Sequence, residues 1–294
     1  MEFRQLRYFL AVAEHLHFTE AAQRLGIAQP PLSQQILKLE REIGTPLFIR
    51  HPRRVELTEA GRLFRESARR IVDDAQQALI DVRNAGRGET GRLSIGFAGS
   101  TVFHPLVAKV MQSYRSSYPR VAITCVESNS VALLDEVAER RLDAALIRLP
   151  LGCGELKVEP LVDEDMIAVL PANHPLSRRR RIDLADLAGD SFIFFPRPIG
   201  PDLYDSMIEA CRAAGFTPAI GMDSPQISST ANLVAAGFGV TLIPASIRQF
   251  QAEGVTFHEL QGKPLRTGIA LVHRPRERAQ TVLNFIKVMR DAKR

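Results

Sequence analysis

The chain has 294 residues, 45% hydrophobic and 24% charged, enough to bury more than one sizeable core, so two or three domains are expected. Its formal charge of +5 is unevenly placed: residues 1–70 hold twelve Lys/Arg against eight Asp/Glu, which puts the attraction for a polyanion at the N-terminal end. No apolar run approaches the ~20 residues that span a bilayer, no basic-apolar leader precedes the first helix, and Cys125, Cys153 and Cys211 lack any metal or disulfide spacing, so reduced thiols, no metal, no cofactor and a bacterial cytoplasm are expected.

In chain order, Phe18, Ala21, Ala22 and Leu25 recur at helical spacing, with Thr19 as the expected cap ahead of Glu20 and Gln23. Gly26 ends this helix and permits a sharp turn. Pro30 and Pro31 suit only the first turn of a second helix, where their missing amide donors would have had no partner, so that helix begins near Gln29 or Pro30. Leu32, Ile36, Leu39 and Ile43 form its expected buried stripe. Gln29, Ser33, Gln34 and Lys38 stay on the other faces, with polar ends that suit base edges and phosphates; with Pro30 and Pro31 at the tip they make the expected DNA-facing set.

Pro46–Arg50 and Val55–Leu57 read as two short strands joined by His51-Pro52-Arg53-Arg54. Arg50, Arg53 and Arg54 give the hairpin a basic end suited to a phosphate backbone or a minor groove. Any one part fits an ordinary helical core with a solvated loop. Together, two helices about a glycine turn, prolines at the first helical positions and a basic hairpin close behind point to a DNA-reading winged helix-turn-helix. The run A-A-x-x-L-x-x-x-Q-P-P-L-S-x-Q-I-x-x-L-E-x-x-I-G-x-x-L-F-x-R from Ala21 to Arg50, followed by L-T-E-A-G ending at Gly61, resembles the N-terminal signature of LysR-type transcriptional regulators.

Thr58 to about Gly88 reads as a long polar helix with apolar or small residues at Ala60, Phe64, Ala68, Ile71, Ala75, Leu79 and Val82, steps of four and three that make a coiled-coil seam. Packing against its own domain is the alternative, but roughly thirty residues extend about 45 Å and favour a dimerising linker. Gly86, Gly88 and Gly91 then form an expected hinge. The domains are thus a winged helix-turn-helix over 1–58, a linker helix over 59–88 and an effector domain over 91–294.

Beyond the hinge, Leu93–Phe97, Val121–Val126 and Ala144–Ile147 read as strands alternating with helices over Pro105–Tyr118 and Val131–Arg140. That order implies parallel strands with helices on both faces, and such sheets bind ligands at the carboxyl ends of their strands. A second unit begins near Met166–Leu170 and continues through Phe192–Phe195, a helix over Tyr204–Ala214 and a strand over Val240–Pro244. The family resemblance implies an α/β, two-lobed, periplasmic-binding-protein-like sensor, lobe I over about 91–162 plus 268–294 and lobe II over about 163–267, the tail returning to the first lobe.

At the strand ends, Ser100 and Thr101, then Asn129 and Ser130, offer hydroxyls and helix-start amides as an anion seat, with Ile199 and Pro201 as the opposite wall. Helix capping is the competing role for the serines. Within the family the chain is most similar to muconate- and benzoate-responsive members; that similarity implies effector contacts for Ser100, Ser130, Arg148 and the Pro201 region, whereas Gln226 stands where the group has an acid, so their effector does not transfer. A small organic anion, an aromatic acid or a ring-cleavage dicarboxylate, is the expected ligand. The resemblance also implies a double-stranded DNA operator, RNA polymerase as a further partner, nucleoid association and a homo-oligomer built as a dimer of dimers, without a membrane.

Gly237-Phe238-Gly239 begins like a dinucleotide fingerprint but lacks its third glycine, and Arg178–Arg181 reads as a solvated loop. The absence of GxSxG, HExxH, paired-carboxylate and P-loop patterns argues against an enzyme. Two other readings stay open at this point: an architectural DNA binder without an effector, and an enzyme or transport-type solute binder.

Overall fold

The computed structural model describes residues 1–51, 54–224, 226–249 and 252–293; among these no helix is long and apolar enough to cross a membrane. The chain divides into two units, Met1–Asn84 and Ala85–Arg294.

The first unit contains α1 (Phe3–His15), α2 (Phe18–Leu25), α3 (Gln29–Ile43), the hairpin strands β1 (Phe48–Arg50) and β2 (Val55–Leu57), and most of α4 (Glu59–Gly86). Thr19 is not the cap of α2: His17 is, and its carbonyl accepts from the Ala21 amide. The core claims Phe18, whose ring lies 6.0 Å from that of Phe48, and this sets the helix start two residues earlier than the hydroxyl pattern implied. Gly26 takes φ +68° and turns the chain into α3, which begins at Gln29 as expected. Leu32, Ile36 and Leu39 are fully buried, each contributing about 1.5–3 kcal/mol. Ile43 is exposed, because the chain leaves α3 at Gly44 and Leu47 and Phe48 close the core instead.

β1 starts two residues later than the hydrophobic run, since Thr58 occupies the carbonyls of Pro46 and Leu47. Thr58 also caps α4, accepting from the Gly61 amide at 2.9 Å. At Gly61 a Cβ would collide with the Leu47 carbonyl, so glycine alone lets α4 lie this close to the hairpin. The apolar seam of α4 has two fates. Ala60, Phe64, Ala68 and also Val72 pack into this unit's core, whereas Ile71, Leu79 and Val82 are 42%, 59% and 72% exposed.

The second unit runs β3 (Thr90–Ala98), α5 (Pro105–Ser117), β4 (Arg120–Ser128), α6 (Ser130–Ala138), β5 (Ala144–Leu149), β6 (Lys157–Pro171), β7 (Arg181–Ile182), β8 (Ser191–Phe194), α7 (Pro201–Ala213), β9 (Ala219–Asp223), α8 (Ile227–Ala235), β10 (Thr241–Pro244), β11 (Val255–Leu260), β12 (Arg266–His273) and α9 (Gln280–Ala292). β3 pairs in parallel with β4 and β5, while β12 is antiparallel to both β5 and β6. The tail therefore returns into the first lobe's sheet. β6 serves both lobes: Lys157–Asp165 pairs with β12, and Met166–Pro171 with β10 and β11. β5 is apolar without alternation because both its faces are covered, Ala144 and Leu146 against α5 and α9, Ala145 and Ile147 against α6. Gly237-Phe238-Gly239 lies in the turn between α8 and β10.

Candidate functional site

On α3, Gln29, Pro30, Pro31, Gln34 and Lys38 are exposed and Ser33 is half-buried. Gln29 and Gln34 make no side-chain hydrogen bond among the described residues, so both amide ends remain open to a partner. Lys38 reaches Glu2 at 3.3 Å. Arg50 is engaged internally. Its guanidinium donates to Glu40 at 3.0 Å and to Ser33 at 3.4 Å, and lies 5.0 Å from the centre of the Phe18 ring. Arg50 thus braces the hairpin against α3, a role the basic-tip pattern did not reveal. Arg54 is exposed and pairs with Glu56 at 2.9 Å; Arg53 lies outside the described residues.

In the second unit a pocket of about 510 Å³, counting its open mouth, is lined by Ala98, Gly99, Ser100, Ser128, Asn129, Ser130, Arg148, Pro150 and Leu151 on one side and by Phe195, Ile199, Gly200, Leu203 and Gln226 on the other. Its position follows from topology. β3, β4 and β5 run parallel and end here, and α6 and α7 start here, so strand ends and helix N-termini face one space. Gln226, at the start of α8, reaches toward the β3 end: a Cβ on Gly99 would stand 2.9 Å from Gln226 Oε1 and 2.7 Å from Glu127 Oε1.

The predicted seat residues divide by role. Ser100 lines the pocket, and its Oγ accepts from Arg148 Nε at 2.8 Å. Ser130 also lines it and accepts from the Arg148 amide at 3.2 Å. Asn129 caps α6 by accepting from the Ala132 amide at 2.9 Å, the competing role weighed for the serines, while still bordering the space. Thr101 and Pro201 are not among the lining residues. Thr101 is fully buried and spends its hydroxyl on the Ala98 carbonyl, and Pro201 opens α7 while Gly200 and Leu203 face the pocket in its place.

Arg148 is buried and held on every side. It donates to Glu164 Oε1 at 2.5 Å and to the Ser100 carbonyl at 2.9 Å, and its Nη2 lies 3.5 Å from Ser246 Oγ. Glu164 in turn accepts from the Ser246 amide at 2.7 Å. Burial pulls the Arg148 pKa down and the Glu164 charge opposes this. Burial alone would raise the Glu164 carboxyl, yet Arg148 and Ser246 outweigh it and hold the group below its ordinary value. Glu164 and Ser246 were not singled out from sequence. They lie 16 and 98 residues from Arg148, and only the pairing of β6 with β12 and β10 brings them together.

The family profile for the bacterial regulatory helix-turn-helix protein, lysR family, matches residues 3–62, and that for the LysR substrate binding domain matches residues 86–294. The chain is 41% identical over 289 residues to the HTH-type transcriptional regulator BudR of Raoultella terrigena, covering 98% of this chain and 100% of that one. It is 34% identical to AlsR of Bacillus subtilis over 98% and 95% of the two chains. Among solved structures, full-length CbnR complexed with its target DNA superposes with a TM-score of 0.86 at 26% identity over the full length of both chains.

Proposed function

This chain belongs to the LysR family of transcriptional regulators, a non-enzymatic DNA-binding family, and we propose that a small organic anion held in the pocket of its effector domain governs how it acts at its operator. The supporting observation is the pocket itself: parallel strand ends, the starts of α6 and α7 and two serine hydroxyls face an apolar wall of Phe195, Ile199 and Leu203. Polar groups that orient a carboxylate opposite a wall that covers a carbon frame fit an aromatic acid or a dicarboxylate derived from one. Such a ligand shifts the protein only by its difference in affinity for two arrangements of the lobes.

In this reading α3 enters the major groove of a double-stranded operator, Gln29, Ser33, Gln34 and Lys38 meet base edges and phosphates, and the hairpin with Arg54 follows the backbone. The regulator works in the cytoplasm at the nucleoid as a homo-oligomer, a dimer of dimers, with RNA polymerase among its partners. The test is calorimetric titration of the full chain with small carboxylates, repeated on Ile199→Trp, which adds bulk at the apolar wall. A carboxylate bound by the wild type and lost in the variant, with operator affinity unchanged, supports the pocket. Equal binding by both proteins moves the ligand elsewhere.

A further inference from the structure

Arg178, Arg179 and Arg180 lead into β7, whose first residue is Arg181, and all four are exposed, as is Arg248 in the helical turn after β10. The run is open to solvent as its sequence implied, yet its backbone is tied down. Buried His258 of β11 donates from Nδ1 to the Arg179 carbonyl at 2.5 Å, the Glu259 amide donates to the Arg180 carbonyl at 3.3 Å, and Arg181 lies opposite Glu259 in the β7–β11 register. Leu176, just ahead of the run, packs against the core of lobe II. The guanidinia therefore project from a fixed frame, which lowers the ordering cost of meeting a partner.

Acids answer only part of this charge. Arg179 donates to Asp186 at 3.0 Å and Arg181 to Glu259 at 2.9 Å, while Asp183 and Asp190 are taken up by the Ala185 amide and by His174. Arg178, Arg180 and Arg248 make no side-chain hydrogen bond or ion pair among the described residues. Arg180 and Arg248 stand around the same carboxylate: the hydrogen bond from Arg181, chiefly, and then the charges of Arg180 and Arg248 hold Glu259 below its ordinary value. No large hydrophobic side chain is exposed among the described residues of 172–190 and 245–262. Protein partners are held through apolar and aromatic anchors, which this patch lacks. Duplex DNA asks for what it has, since its interfaces are polar and strongly positive and the planar arginine fork matches two phosphate oxygens.

We propose that Arg178, Arg180 and Arg248 form a second DNA-binding surface, on the effector domain, which takes the phosphate backbone of duplex DNA without reading its bases. This surface is independent of the pocket and of any effector. The test is titration of the full chain with a mixed-sequence duplex of about 60 bp over a range of salt, comparing the wild type with Arg178→Ser/Arg180→Ser/Arg248→Ser. All three side chains are exposed, so the variant should keep the wild-type urea midpoint. Each lost phosphate contact flattens the plot of log affinity against log salt by about 0.9, so the slope should fall by about 2–3 and the affinity at low salt by at least tenfold. Arg178→Lys/Arg180→Lys/Arg248→Lys keeps the charge and should restore most of the slope. An unchanged slope in the serine variant overturns the proposal, and so does a loss that lysine fails to restore. Poly-L-glutamate serves as the second probe: if the serine substitutions abolish its binding but leave the DNA slope intact, the patch belongs to an acidic protein partner and the proposal is likewise overturned.

Discussion

Glu40 of α3 and Arg50 of β1 meet at 3.0 Å, and the same Glu40 carboxylate accepts the backbone amides of Leu47 at 2.9 Å and Phe48 at 3.1 Å. One carboxylate thereby joins α3 to the start of the hairpin. Its three bonds are unequal in worth. The amides belong to two buried residues and have no water to fall back on, while Arg50 is one-third exposed and its pairing is screened.

Glu40→Ala should accordingly cost about 2–4 kcal/mol, one to two buried amides left without an acceptor. Arg50→Ala should cost about 1 kcal/mol or less. Urea denaturation monitored on the N-terminal unit of the full chain separates the two. Equal losses would mean that the ion pair, and not the amide cap, holds the hairpin.

Local chemistry explains how much of this was legible in the sequence. Gly26, Pro30 and Pro31 specify their own backbone geometry, so the turn and the start of α3 could be read within a residue. Alternating strands and helices likewise announced the parallel part of the second unit. What stayed hidden depends on distant pairing. The length of β6 and the meeting of Arg148 with Glu164 and Ser246 both arise from strands that cross between lobes, and no periodicity encodes a crossing. The internal pairing of Arg50 stayed hidden for a related reason: an arginine on a basic hairpin looks the same in sequence whether or not it also meets a carboxylate of the same unit.

Gln34 is exposed on α3 and makes no side-chain hydrogen bond among the described residues, which leaves its amide available for a base edge. Glutamine matches adenine in the major groove, whereas arginine matches guanine. Gln34→Arg should shift preference at one base pair of the half-site by about 1–3 kcal/mol. Selection from a randomised operator library is the measurement, and an unaltered consensus would remove Gln34 from the base-reading set.

The outer half of the α4 seam gives the assembly prediction. Ile71 is 42% exposed in the single chain, so an aspartate there meets water in the monomer and should leave the fold intact. In a paired seam with Leu79 and Val82 of two copies, the same carboxylate would be buried without a partner. Ile71→Asp should therefore keep its circular dichroism while light scattering reports a smaller oligomer and operator affinity falls. A native oligomer with full affinity would show that α4 pairs through another face.

Glu159 joins three elements of the second unit. From β6 it accepts from Arg290 of α9, with Nε at 2.7 Å, and lies 3.1 Å from His273 Nε2 of β12. The hydrogen bonds from Arg290, chiefly, and from His273 bring its carboxyl down to about 2 against burial, which acts in the other direction. A carboxyl whose pKa is lowered on folding binds more protons when unfolded, so its contribution is complete above its ordinary value of 4.5 and disappears as pH falls toward about 2. The full shift would correspond to roughly 3 kcal/mol, and the half-exposed Arg290 reduces this to about 1–2 kcal/mol. Glu159→Gln should lose that amount at pH 7 and show a shallower fall in urea midpoint between pH 4.5 and pH 2.5 than the wild type. Parallel midpoint curves for the two proteins across that window would mean that Glu159 is held equally well in the unfolded chain, and that strand pairing and packing, not this carboxylate, join the three elements.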